Sequence, residues 1–360
     1  MPDGRFLFAT CQRGAETALK SELTALVPEL RPSFSRPGYV TFKAADDAAF
    51  PPHWESAAVF ARSLGWSLGK VRGDSGASAL AAELAAAVAG LEPFEQLHVW
   101  PRDAAAVGYR GFEPGHSDDS SAAAAALAAA MPGELLRREE NGAALAVRAG
   151  QRVLDVILVE PGEWWFGWHV IRRGDPWTRW PGGIFHCDIP EAVVSRAYVK
   201  MREALACFRF PIKRGETALE IGSSPGGSSQ ALLQAGLKVI GVDPAEMSPA
   251  LLAESKFTHW RMRGTEIRKS HCRDVKWLTA DVNAAPGYTL DVVEGIVTNQ
   301  HVKAAGLLLT IKLPEWELAG ELPQNVERIR SWGFEWIRAR QMSHNRQEYC
   351  LAALRRSPGK

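Results

Sequence analysis

The join at Ala218–Ser228 constrains this chain more than any other segment. It reads Ala218-Leu219-Glu220-Ile221-Gly222-Ser223-Ser224-Pro225-Gly226-Gly227-Ser228, an apolar run that stops at a turn of small residues and opens a helix. Small residues let the backbone approach a ligand closely, and a helix N-terminus offers free N–H groups to a carboxylate or phosphate. Gly222, Gly226 and Gly227 do not follow the G-x-G-x-x-G spacing of dinucleotide sites, and no GK[ST] follows for a triphosphate. The next apolar run ends at Asp243, 23 positions after Glu220. An acid there suits the two hydroxyls of a ribose. A structural turn with its cap would read the same way, and both readings stand at this point.

The surroundings fit a sheet that brings such a loop to its edge. From Ser195 onward strands and helices alternate: helix Ser195–Cys207, strand Thr217–Ile221, helix Ser228–Ala235, strand Lys238–Val242, helix Ser248–Lys256 and strand Phe257–Met262. Strand Val275–Ala280, a helix near Asp291–His301, strand Gly306–Ile311 and helix Pro323–Trp332 follow, then strands Trp336–Met342 and Glu348–Leu354. Such alternation predicts an α/β fold, a mostly parallel sheet with helices on both faces. Ahead of it, strand Phe6–Ala9, helix Gly14–Leu26 and strand Tyr39–Phe42 begin an α+β region, with Pro51 and Pro52 as punctuation. The Ala-rich tracts Ser78–Ala89 and Ser121–Ala130 predict helices, and Ala143–Val147 and Val153–Val159 predict strands. Between Gly162 and Pro190, Trp164, Trp165, Trp168, Trp177 and Trp180 lie among Gly and Pro, which reads as the connection between domains. The expected division is an α+β region over 1–170, a Trp/Pro/Gly-rich linker over 171–194 and the α/β domain over 195–360.

Composition narrows the function classes. The chain has 360 residues, 46% hydrophobic and 23% charged, enough for two to three domains with real cores. No stretch is apolar enough for a membrane span, and Met1–Thr10 has no signal-type apolar region, so a cytoplasmic protein is expected. Cys11, Cys187, Cys207, Cys272 and Cys350 are scattered without a CxxC pair, which predicts free thiols and no zinc finger. The nine histidines show no H-x-x-x-H pair, so no metal site is expected. Residues 1–195 hold 18 Lys and Arg against 24 Asp and Glu, whereas residues 196–360 hold 24 against 17. The basic excess is densest at Lys256, Arg261, Arg263, Arg268, Lys269, Arg273 and Lys276, which reads either as a solvated face or as a surface that tracks phosphates.

The loop and Asp243 resemble the S-adenosylmethionine site of class I methyltransferases. The flanking Ser195-Arg196-Ala197-Tyr198-Val199-Lys200 is similar to the S-R-A-x-x-K signature of FtsJ-like RNA 2′-O-methyltransferases. That family uses a Lys–Asp–Lys–Glu tetrad, and the matching positions are Lys200, Asp281, Lys312 in Thr310-Ile311-Lys312-Leu313-Pro314, and Glu348 in His344-Asn345-Arg346-Gln347-Glu348. The last segment and the I-K-L-P strand resemble those of the RlmM-like cytidine 2′-O-methyltransferases of 23S ribosomal RNA. The chain departs from that subfamily at Glu220 for Asp, at a loop without its Trp, at Arg263 for an acid expected near adenine, and at Asn345 for Asp.

The resemblance implies a Rossmann-like methyltransferase domain preceded by a ferredoxin-like and THUMP-like RNA-binding region, with S-adenosyl-L-methionine as cofactor. Ser195, Glu220, Gly222, Ser223, Ser224, Pro225, Gly226, Gly227, Asp243 and Asp281 would form the cofactor site. Structured RNA, 23S ribosomal RNA or its precursor, would be the partner, with no DNA, no membrane and no obligate protein partner. A ribose 2′-hydroxyl is a weak acid, so the enzyme must take its proton as the oxygen attacks the methyl group in line. Lysine acts as a base only when its pKa falls from about 10.4 towards neutrality, which a second ammonium and partial burial favour. Lys312 is the expected base, Lys200 the charge that lowers its pKa and positions the ribose, and Asp281 and Glu348 the groups that orient both ammoniums. Base methylation by an [ND]-P-P-[YF] segment and a cysteine nucleophile are disfavoured, because Asp281-Val282-Asn283 follows Val275–Ala280. The alternative is an RNA-binding or assembly factor that kept the fold and lost the cofactor.

Overall fold

The apolar run Phe6–Thr10 is the first strand (β1) of a sheet built within residues 1–185, one of two compact units; the other spans 186–360. The computed structural model describes residues 6–356 apart from 47, 49, 52–53 and 140–143. Of the expectations above, those on Met1–Arg5, Pro52 and Ala143 lie outside the described residues.

In the first unit, β1 is followed by α1 (Glu16–Leu26), β2 (Leu30–Arg36), β3 (Tyr39–Ala44), the single turn α2 (Trp54–Ala57) and β4 (Ser63–Arg72). Then come α3 (Ala77–Ala87), β5 (Gln96–Pro101), α4 (Asp118–Ala130), β6 (Arg152–Glu160) and β7 (Glu163–Val170). The strands form one sheet in the order β2-β3-β1-β4-β7-β6-β5. Its first four are antiparallel neighbours in the order of a βαββαβ ferredoxin-like unit. Alanine's helix propensity decides both low-complexity tracts: α3 and α4 pack Leu80, Leu84 and Leu127 onto Leu154, Val156 and Phe166 of the sheet.

Two expectations are corrected here. Glu163–Val170 is not part of a connection but strand β7, because its aromatics alternate with period two. Trp164, Phe166 and Trp168 face the α3/α4 side, whereas Trp165 stacks on Phe34 on the other face. The segment after it, with turns at Pro176–Arg179 and Pro181–Gly183, packs within this unit, where Ile184 joins Phe8, Tyr39, Trp100 and Ile157. Ala144–Val147 forms no strand; an isolated bridge from Ala144 to Arg138 is all the pairing there, since small alanines give a strand little to pack. The sequence reading also passed over β2, β4 and β5.

The second unit runs α5 (Ala197–Phe208), β8 (Thr217–Ile221), α6 (Gly227–Gln234), β9 (Lys238–Val242), α7 (Pro249–Leu252), β10 (Phe257–Trp260) and β11 (Val275–Ala280). It ends with α8 (Pro286–Val297), β12 (Gly306–Lys312), α9 (Leu322–Ser331), β13 (Trp336–Arg340) and β14 (Glu348–Leu354). The sheet order is β10-β9-β8-β11-β12-β14-β13, parallel except for β14, which lies antiparallel between β12 and β13. Strands covered on both faces read as continuous apolar runs, and Gly306–Ile311 and Tyr349–Leu354 are buried throughout. The α/β expectation holds. Helix α8 begins at Pro286 rather than near Asp291, because proline's fixed φ suits a first helical position.

Candidate active site

The parallel strands of the second unit deliver their carboxyl ends to one edge, where ligands of such sheets lie. Asp281 follows β11, Lys312 ends β12, and Glu348 begins β14 directly opposite Lys312 in the strand register. Lys200 reaches the same point from α5. The four expected residues meet in a closed ring. Lys200 Nζ lies 2.7 Å from Asp281 Oδ2 and 2.7 Å from Glu348 Oε1. Lys312 Nζ lies 2.7 Å from Asp281 Oδ1 and also donates to Glu348 Oε2.

The ring's electrostatics differ from the expectation that one ammonium acts directly on the other. Each lysine stands between two shared carboxylates. Burial works against the Lys200 charge, but Asp281 and then Glu348 outweigh it and hold the ammonium well above the ordinary lysine range. Burial likewise opposes the Glu348 charge, yet Lys200 and Lys312 bring its carboxyl down to about 2. Glu348 is fixed further by Asn345 Nδ2, which donates to Oε1 at 3.0 Å. An amide at 345 thus supplies a donor where an acid would repel.

Sequence reasoning missed Glu203, one turn along α5 from Lys200. It is fully buried and accepts from Ser343 N at 2.6 Å, Ser343 Oγ at 2.7 Å and His344 N at 3.0 Å. It fastens the turn that leads to Glu348 onto the helix that carries Lys200. The signal was a glutamate on the apolar face of α5, three positions after Lys200.

The small-residue loop abuts the ring. Gly222 has φ +81°, and a Cβ there would stand 2.6 Å from the Asp281 carbonyl oxygen. At Gly227 a Cβ would meet Ser195 Oγ and lie 2.8 Å from the Ser195 carbonyl oxygen. Both glycines are demanded by close backbone approach. Asp243 accepts from Ser224 N at 3.1 Å and Ala245 N at 2.8 Å, so it shapes the loop while each oxygen keeps a free lone pair. Ser223 Oγ is buried against Met247 Sδ, and Ser224 Oγ donates to the Glu246 carbonyl at 2.7 Å. The Ser224–Pro225 bond is cis. What this stretch offers a ligand is therefore backbone. Glu220, buried on β8, accepts from Ser229 Oγ; burial is the main cause that pushes its carboxyl up to about 8. Arg263 is exposed after β10, its N–H bonded to Glu266 at 2.7 Å.

These residues fit S-adenosylmethionine on structural grounds. Ser195 Oγ is shielded from solvent and without a partner beside Gly227, the N-terminus of α6 has no side-chain cap, and the Asp243 carboxylate stands at the next strand end. Ser195, Gly226 and Gly227 would take the amino-acid end, and Asp243 the ribose hydroxyls.

The strand order, with its antiparallel hairpin strand inserted next to last, defines a Rossmann-like, class I methyltransferase fold. Residues 193–321 match the model of the FtsJ-like methyltransferase family. The chain is similar to the ribosomal RNA large subunit methyltransferase M of Alkalilimnicola ehrlichii, 30% identical over 61% of this chain and 61% of that one. It is also similar to the protein of the same name from Halorhodospira halophila, 26% identical over 96% of this chain and 95% of that one. Among solved structures, TrmN from Thermus thermophilus aligns at TM-score 0.35 with 15% identity, over 97% of this chain and 99% of that one. No helix among the described residues is long and apolar enough to cross a membrane.

Proposed function

We propose that this protein is an S-adenosylmethionine-dependent RNA 2′-O-ribose methyltransferase, acting in the cytoplasm on large-subunit ribosomal RNA or its precursor. The observation that carries this reading is the closed ring of Lys200, Asp281, Lys312 and Glu348 at the strand ends, sharing Asp281 with the small-residue loop. A protein that only bound RNA would have no use for two lysines converging beside a cofactor cradle.

The bound cofactor supplies an electrophilic methyl group on sulfonium. The chain must align the 2′-hydroxyl with it and take the hydroxyl proton. Lys312 is the acceptor, and it acts when its nitrogen is neutral. Lys200, held charged by its two carboxylates, leaves one positive and two negative groups around Lys312. Lys200 also directs its ammonium at the ribose oxygen, and Asp281 and Glu348 keep both lysines in place. Residues 1–170 act as an accessory RNA-binding region, ferredoxin-like and THUMP-like. Arg102, Arg110, Arg137 and Arg138 contribute local positive charge, and shape recognition does the rest. The exposed basic side chains Lys256, Arg261, Arg263, Arg268, Arg273 and Lys276, with half-buried Lys269, track phosphates.

Calorimetric titration with S-adenosylmethionine tests the pocket: micromolar-class binding is expected in the wild type and lost in Asp243→Ala. Methyl transfer to ribosomal RNA transcripts tests the reaction, read as resistance of one linkage to alkaline cleavage. Lys312→Ala should abolish transfer while cofactor binding survives. Near-wild-type turnover in Lys312→Ala would remove it as the base, and absence of binding and transfer in the wild type would overturn the function.

A further inference from the structure

Three neighbouring strands of the first unit bring together a buried His–Asp–His set that the reaction does not use. His98 on β5 stands opposite Asp155 on β6, and His169 on β7 stands opposite Val153, on the same face as Asp155. Their exposures are 4%, 0% and 8%, so a set of ligand-type groups lies out of water. No short sequence spacing reveals it, because each residue comes from a different strand.

The hydrogen bonding of the set is incomplete. His98 Nδ1 and Asp155 Oδ1 are buried without partners and face each other at 3.8 Å. That is too long for a hydrogen bond, yet it is the span that two metal–ligand bonds of about 2.0–2.2 Å bridge. His169 Nε2 lies 2.8 Å from the Thr178 carbonyl oxygen, which can only accept, so this nitrogen carries a proton. In the neutral ring, Nδ1 then presents a lone pair to Asp155 Oδ2 at 2.5 Å. Two acceptors at that distance need a hydrogen between them, carried by His169 or by Asp155, or a metal ion. A backbone carbonyl behind a ligating histidine is the arrangement that fixes the ring and its tautomer in metal sites.

The space beside the set suits a cation. A cavity of about 20 Å³ borders Asp155 and His169, room for one water as a fourth ligand. Arg62 and Arg172 line the same cavity but are neutralised by their own carboxylates. Arg62 is held at 2.6 and 2.8 Å by buried Asp103, and Arg172 at 2.7 Å by Asp175 and 3.4 Å by Glu55.

We propose that His98, Asp155 and His169 bind one divalent transition-metal ion of the zinc class, with water completing a four-coordinate site. Two imidazole nitrogens and one carboxylate oxygen suit zinc, whereas magnesium and calcium prefer oxygen-only sites. Binding displaces the proton shared by His169 and Asp155, opens their contact, and ties β5, β6 and β7 to the covering turn through Thr178. The ion is a structural staple of the first unit.

The test uses the full-length, untagged protein, stripped with a chelator and titrated with Co²⁺. One equivalent should give the visible absorption of a four-coordinate cobalt site, and Zn²⁺ should displace it. Zn²⁺ should also raise hydrogen-exchange protection in peptides from β5, β6 and β7. His98→Gln should weaken Zn²⁺ binding by roughly a hundredfold or more, beyond the ~10–100-fold typical of losing an outer partner. Absence of a cobalt band and of zinc-dependent protection in the wild type overturns the proposal, as does His98→Gln that binds zinc as tightly as the wild type. Should that variant not fold, the wild-type titration and exchange decide by themselves.

Discussion

Glu220→Gln should stabilise the second unit in alkaline solution and do little in acid. Glu220 is 1% exposed on β8, and its carboxyl is pushed from 4.5 up to about 8, with burial as the main cause. The folded unit therefore keeps a proton that the unfolded chain has already lost. Stability falls as pH rises from about 4.5 to 8, by about 1.4 kcal/mol per unit, and levels off above. The whole interval corresponds to roughly 5 kcal/mol. Glutamine has no charge to desolvate and can still accept from Ser229 Oγ. The variant should thus match the wild type near pH 4.5 and exceed it by several kcal/mol at pH 9. Denaturant titrations across this range, followed by hydrogen exchange in peptides from β8 and α6, measure the difference for this unit alone. The reasoning fails if the wild type and Glu220→Gln differ by the same amount at every pH. It fails equally if the variant is the less stable one at pH 9.

Gly227→Ala should destabilise the second unit by a few kcal/mol and abolish cofactor binding, because the added Cβ meets Ser195 and lies 2.9 Å from Tyr198 N, backbone that cannot yield; a thermal melt and a cofactor titration check both. Glu203→Ala should cost about 1–3 kcal/mol, since three donors at Ser343 and His344 lose their acceptor, and it should lower turnover more than cofactor affinity. Steady-state kinetics beside calorimetry would show equal losses in both if Glu203 served the cofactor instead. Lys256→Glu combined with Arg268→Glu should weaken RNA binding and flatten its salt dependence by about two units of log–log slope. Unchanged affinity in a filter-binding series would remove that face from RNA recognition.

The second unit was legible because its strands are buried on both faces and broken by helices of ordinary length. Thr217–Ile221, Lys238–Val242 and Glu348–Leu354 stand where their apolar runs place them. The first unit was less legible because its strands are half-exposed and partly polar. Leu30–Arg36 carries one fully buried residue, its first, and Ser63–Arg72 contains two glycines and four other polar or charged residues. At Glu163–Val170 the density of tryptophan and glycine drew attention from an alternation that was present. In the site, residue types and order could be read but not the electrical balance. Which groups face which depends on strand register, and nothing local to Lys200 or Lys312 says that each meets two carboxylates. Glu203 escaped notice for a related reason: its partners lie about 140 positions away.

Sheet order explains how residues so distant in sequence converge. β11, β12 and β14 are consecutive neighbours, so Asp281, Lys312 and Glu348 stand side by side at one edge, about 4.8 Å apart from strand to strand. That spacing lets an ammonium on the middle strand reach a carboxylate on each side. Lys200, from the helix packed over this edge, closes the ring. Lys312 and Glu348 are register partners, so a slip of one residue between β12 and β14 would turn one of them to the opposite face and open the ring. What pins this register is the buried run Leu307–Ile311 against Tyr349–Ala353, together with the turn that Glu203 fastens. The apolar core of the hairpin and a buried acid on α5 thereby set the distance between Lys312 and Glu348. The site is as precise as the sheet beneath it.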